Sequence, residues 1–201
     1  MTTANKVTIL RSLLIPFFVI EVLYYVKTAD EVHRLAALLC FAVAAICDGV
    51  DGYIARHYNQ WSELGTILDP LADKLLLVSG VVVLSFDHTP HLSQIPIWLT
   101  GTIIGRDILL AVGVGVIHLT LGKVKVRPRL LGKAATVFQM ICILWILLKW
   151  DDLGGGRWIG YLILGAGLCT GLSGLLYVWD GVRQLSASPS SVAAEPPGRE
   201  K

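Results

Sequence analysis

Long apolar runs separated by short polar breaks repeat six times along the chain. Each run offers about the 20 residues that a bilayer-crossing helix needs. The runs predict helices over 5–27, 31–56, 66–86, 96–121, 131–150 and 158–183. The start of the third is the least sharply defined, because Pro70 sits most comfortably in the first turn of a helix. Breaks between runs are short, apart from 87–95 and the basic stretch 123–129. The fold class expected is therefore all-α, a polytopic membrane protein with six transmembrane helices. A transmembrane domain is expected over 1–185. Residues 186–201, rich in Ser, Ala, Pro and Glu, are expected to form a disordered cytoplasmic tail.

Composition agrees with this pattern. Charged residues make up 16% of the 201 positions, against about 25% in soluble domains. The mean hydropathy of +0.65 points the same way. Cys40, Cys47, Cys142 and Cys169 all fall inside apolar runs without paired spacing, so they read as small hydrophobes. The first run carries Arg11 and lacks a small-residue cleavage site, so it is expected to remain as a helix. His33, His57, His88, His91 and His118 are scattered and are expected at the surface. The net charge of +2 matters through its distribution. Lys6, Arg11, Arg56, His57 and the 123–129 stretch share one predicted face, which the positive-inside rule makes cytoplasmic. Arg127 and Arg129 suit lipid headgroups there. No nucleic-acid partner is expected.

Four aspartates interrupt the apolar pattern. Asp48 and Asp51 close the second run, and Asp69 and Asp73 open the third. An ionised carboxylate within a bilayer costs about 2.5–3.5 kcal/mol on insertion scales, so such residues are usually functional. In an antiparallel hairpin centred near Gln60 and Trp61, Asp48 pairs in depth with Asp73, and Asp51 with Asp69. Spacings of three and four put each pair on one helix face. Three readings follow. The acids pair with Arg56, Lys74 or Lys133; they relay protons or cations in a transporter; or they hold two divalent metal ions for phosphoryl chemistry.

The spacing Asp48-x2-Asp51-Gly52-x2-Ala55-Arg56-x8-Gly65-x3-Asp69-x3-Asp73 fixes eight residues across 26 positions. It resembles the signature of the CDP-alcohol phosphatidyltransferases at every fixed position. Asn5-x2-Thr8-x2-Arg11 with Pro16 resembles that family's first helix, and Gly132-Lys133-x2-Thr136-x2-Gln139 its fifth. Leu68-Asp69-Pro70-Leu71-Ala72-Asp73-Lys74 resembles the phosphatidylglycerophosphate synthase and cardiolipin synthase branches.

The resemblance implies a reaction in which CDP-diacylglycerol gives its phosphatidyl group to an alcohol and CMP leaves. It implies Asp48, Asp51, Asp69 and Asp73 as ligands of a two-metal Mg²⁺ or Mn²⁺ site, with Asp73 as general base. Asn5, Thr8, Asp51, Gly52, Ala55, Arg56 and Gly65 would bind CDP-diacylglycerol, Arg56 through its planar fork on the diphosphate. Asn5 as a helix cap and Thr8 bonded to its own backbone are the structural alternatives. Arg106 and Lys133 would hold the acceptor, glycerol 3-phosphate. The alternatives are a polar Arg106–Asp107 region turned inward and a Lys133 that snorkels to headgroups. Gly105-Arg106-Asp107 replaces the Arg-Glu expected of many phosphatidylglycerophosphate synthases and looks like the cardiolipin synthases, whose acceptor is phosphatidylglycerol. A homodimer in the bacterial inner membrane, among membrane lipids, completes the expectation. Gly165, Gly167, Gly171 and Gly174 offer small-residue packing surfaces within the subunit or across the dimer.

Overall fold

A computed structural model describes residues 3–58, 63–88, 91–121, 130–150 and 156–186. Within these, the side chains of 3–9, 48–58, 63–71, 117–121, 156–157 and 183–186 lie outside the description. Six helices follow in order: α1 (Thr3–Thr28), α2 (Glu31–Tyr58), α3 (Glu63–Ser85), α4 (Ile97–Leu121), α5 (Leu130–Leu147) and α6 (Gly156–Ser186). Among the described residues there is no strand. The helix boundaries agree with the hydropathy pattern to within a few positions. The exception in kind is α3, which begins at Glu63 and leaves Pro70 in its interior. Pro16 likewise lies inside α1. Neighbouring helices and local adjustments make such prolines tolerable.

α1 shows how one sequence serves two apolar faces. Arg11, Ile15, Phe18, Val22 and Tyr25 alternate at four and three residues, and all are buried. Leu10, Leu13, Phe17, Ile20 and Leu23 cover the outer side and are exposed. A helix apolar all round belongs in a core or a bilayer, and here the outer half lies exposed at the surface of the bundle. α4, α5 and α6 contain apolar spans over Ile97–Val116, Leu130–Leu147 and Trp158–Val182. α1, α2 and α3 have the length to cross, at 26, 28 and 23 residues, but carry more charge.

α1 packs chiefly on α2 and also on α3, while α6 packs on both α4 and α5. α3 and α5 join the two groups through a shared core. Phe18 and Phe41 meet at 5.5 Å between ring centroids, and Leu76, Leu84, Ile143 and Ile146 fill the centre. Gly80 lets α3 approach α5: a Cβ there would stand 2.9 Å from Ile143 Cδ1.

The connections at one end are tightly bonded. Ala29 closes α1 at φ 56°, its N–H donating to the Tyr25 carbonyl at 2.8 Å. Asp30 Oδ1 then accepts from the Val32 N–H at 3.0 Å and caps α2. His88 corrects the surface expectation: it is buried, its ring nitrogen 2.7 Å from the Val83 carbonyl, because the end of α3 needs a donor. His33 is half-buried and 2.7 Å from Glu21 Oε2, and His91 is half-buried. The side chains of His57 and His118 lie outside the described residues. The four cysteines are free, with Cys142 buried.

Candidate active site

The four aspartates occupy helix. Asp48 and Asp51 lie in α2 ahead of its end at Tyr58, and Asp69 and Asp73 lie in α3. The two helices are in contact. Asp48 and Asp51 are three positions apart in α2, and Asp69 and Asp73 are four positions apart in α3. Aspartate offers oxygen donors only, the chemistry that hard divalent cations select. Asp73 is half-buried. The side chains of Asn5, Thr8, Asp48, Asp51, Gly52, Ala55, Arg56, Gly65 and Asp69 lie outside the described residues. Asn5 falls within the first turn of α1 rather than ahead of it, since the helix begins at Thr3.

One residue beyond Asp73, a cationic cluster gathers α3, α4, α5 and α6. Lys74 Nζ lies 3.2 Å from Asp107 Oδ1, which also accepts from Arg106 Nη1 at 2.7 Å. Arg106 Nη2 donates to Ser173 Oγ at 3.2 Å. The Arg106 guanidinium carbon lies 5.6 Å from the centre of the Tyr177 ring, within cation–π range. Gly132 makes room for it: a Cβ there would stand 2.9 Å from Arg106 Nη2. Gly174 accommodates the stem, with its built Cβ 3.4 Å from Arg106 Cγ. Lys133 follows Gly132 directly and is exposed. The structure thus brings Arg106 to Gly132 at the start of α5 and ties it through Asp107 to the residue next to Asp73.

Two partners escaped the sequence reading. Ser173 and Tyr177 stand one helical turn apart in an apolar helix, and only their proximity to Arg106 reveals them. Farther along the same seam, Gln139 Nε2 donates to Thr170 Oγ1 at 3.1 Å in the interior. Thr136 Oγ1 instead bonds its own helix, at the Gly132 carbonyl. Of the α6 glycines, Gly165 faces Phe138, Gly167 faces Trp98 and Gly174 faces Arg106, whereas Gly171 faces open space.

The profile of the CDP-alcohol phosphatidyltransferase family matches residues 1–173, which includes all four aspartates and the Arg106 cluster through Ser173. The chain belongs to this family. One relative is the cardiolipin synthase (CMP-forming) of Streptomyces coelicolor, 37% identical over 147 residues. That match covers 73% of this chain and 64% of the relative, a little under two thirds of its length. Another is the CDP-diacylglycerol–glycerol-3-phosphate 3-phosphatidyltransferase of Escherichia coli K12, 33% identical over 183 residues, covering 90% of this chain and 91% of the relative. The enzyme of that name from Shigella boydii matches over 182 residues at the same identity. A CDP-alcohol phosphatidyltransferase is a transferase of phospholipid biosynthesis, and the apolar α4, α5 and α6 give this member its membrane character.

Proposed function

We propose that the protein transfers the phosphatidyl group of CDP-diacylglycerol to glycerol 3-phosphate, releasing CMP. The observation that carries this reading is the near end-to-end likeness to the Escherichia coli enzyme. The cationic cluster beside Asp73 supports it, because a phosphomonoester acceptor needs guanidinium and ammonium donors close to the reacting centre.

In this reading Asp48, Asp51, Asp69 and Asp73 hold two Mg²⁺ or Mn²⁺ ions. Bound there, the ions supply charge compensation for the phosphate oxygens. Arg56 grips the diphosphate. Gly52, Ala55 and Gly65 let the cytidine lie against the backbone, with Asn5, Thr8 and Asp51 completing the nucleotide contacts. Arg106 and Lys133 orient the acceptor through its phosphate. The acceptor hydroxyl gives its proton to the Asp73 carboxylate as its oxygen bonds to the β-phosphorus. The bond from that phosphorus to the CMP oxygen breaks, and CMP leaves with the electron pair.

The same reading has all six helices crossing the bacterial inner membrane as a homodimer. The aspartate hairpin and the segment after residue 186 face the cytoplasm.

Likeness to the Streptomyces cardiolipin synthase favours a second reading, in which phosphatidylglycerol is the acceptor. Purified protein given CDP-diacylglycerol with glycerol 3-phosphate, phosphatidylglycerol, inositol phosphate or serine decides between them through the lipid product. Release of CMP that depends on the divalent ion is expected with glycerol 3-phosphate. Ion flux in vesicles without CDP-diacylglycerol would instead mark a transporter.

A further inference from the structure

Asp107 is a carboxylate placed among cations at the site where an anion is to bind. It sits between Lys74 and Arg106, with one oxygen serving both. The buried Arg106 Nε–H donates to no partner among the described residues, so the guanidinium keeps a donor in reserve. Side-chain exposures of 16% for Arg106, 21% for Asp107 and 49% for Lys74 leave the cluster partly sheltered and open on one side. Charges in such a setting interact more strongly than in bulk water.

We propose that Asp107 sets the charge selectivity of the acceptor site, holding down its preference for a dianionic phosphomonoester over a monoanionic phosphodiester. The inference rests on Arg106 and Lys133 being the acceptor site. Repulsion from a carboxylate scales with the charge of the ligand, so a dianion feels about twice what a monoanion feels at the same place. Asp107 therefore handicaps the dianion more and keeps the diester competitive. Its partners leave its geometry intact when its charge is removed. An asparagine oxygen can still accept from Arg106 Nη1 and from Lys74 Nζ.

The test compares glycerol 3-phosphate with glycerophosphoglycerol, a soluble monoanionic diester, each read as KM or as competitive Ki in a CMP-release assay. In D107N the affinity ratio of dianion to monoanion is expected to rise about tenfold, and in D107E it is expected to stay within about twofold of wild type. An unchanged or lowered ratio in D107N overturns the inference. K74Q removes a cation from the same cluster and is expected to lower the ratio. An unmoved or raised ratio there overturns the inference even where D107N yields no folded enzyme. R106Q separates the two levels of the argument. If it leaves affinity for both anions unchanged, the acceptor-site reading itself falls. If it weakens both while D107N leaves the ratio alone, only the role of Asp107 falls.

Discussion

Lys149 Nζ lies 3.1 Å from the Glu31 carboxylate, although 118 positions separate them. The contact ties the end of α5 to the start of α2, at the end of the bundle opposite the aspartate hairpin. Arg34 joins it by hydrogen bonding to Glu31 and by donating to the Leu147 carbonyl at 2.6 Å.

Hydrogen bonding to Arg34, and then to Lys149, holds the Glu31 carboxyl below its ordinary value of 4.5. Bonding to Tyr25, and then to Glu31, raises the Lys149 ammonium above its ordinary 10.5, against the opposing effect of burial. A depressed carboxylate stabilises the fold above its unfolded value and loses that contribution as pH falls through the folded one. A raised lysine stabilises below 10.5 and loses its contribution as pH rises beyond its folded value. The thermal midpoint of wild type in detergent should thus exceed that of Glu31→Gln between these limits and converge with it below pH 4.5. The side chain is 51% exposed, so screening keeps the difference to a few degrees. A gap that persists undiminished at pH 3 would contradict the assignment.

Ala29 adopts φ 56° at the end of α1, a conformation in which a Cβ is crowded by the carbonyl. Ala29→Gly removes the crowding and keeps the N–H bond to Tyr25. It should stabilise the protein by about 1 kcal/mol, seen as a raised thermal midpoint. Lys149 has φ 51° as well, but replacing it also breaks the Glu31 contact, so Ala29 is the cleaner site.

Gln139 and Thr170 are buried partners across α5 and α6. Thr170→Val leaves the Gln139 amide short of an acceptor and should cost about 1–3 kcal/mol. Adding Gln139→Leu should recover part of that loss, since no buried polar group is then left wanting. A double variant as unstable as the sum of the single ones would show that the bond contributes little coupling.

Hydropathy alone located all six helices, because runs of about 20 apolar residues carry their own boundaries. It placed the start of α3 three positions late, at 66 rather than Glu63. It also misjudged His88, whose burial depends on the carbonyl of Val83 five residues back. The aspartate spacing was legible because all four residues fall within 26 positions of the chain. Ser173 lay beyond reach: it is 67 positions from Arg106, and its role follows only from how α6 is rotated against α4. Asp107 was visible as a neighbour of Arg106, but the link to Lys74 needed the packing of α3 on α4.

Asp69→Asn keeps the size of the side chain and removes the charge expected to bind metal. CMP release should fall to background while the helical circular dichroism and the thermal midpoint remain near wild type. Chelation of wild type should have the same effect on activity, reversed by Mg²⁺ or Mn²⁺. Substantial turnover in Asp69→Asn would remove that residue from the metal site.

Gly132→Ala tests the placement of Arg106 without touching a charged group. The new Cβ would stand 2.9 Å from Arg106 Nη2 and 3.5 Å from Ser173 Oγ. Arginine is flexible, but here Asp107, Ser173 and the Tyr177 ring hold the guanidinium from three sides, so it must shift as a unit. The apparent KM for the acceptor should rise about tenfold, a loss of roughly 1.4 kcal/mol in binding, while the KM for CDP-diacylglycerol stays put. Gly165→Ala is the control: its Cβ would meet Phe138 at 3.4 Å, an ordinary contact, and both constants should hold. If Gly132→Ala leaves acceptor affinity unchanged, the pocket that receives the acceptor lies away from Arg106.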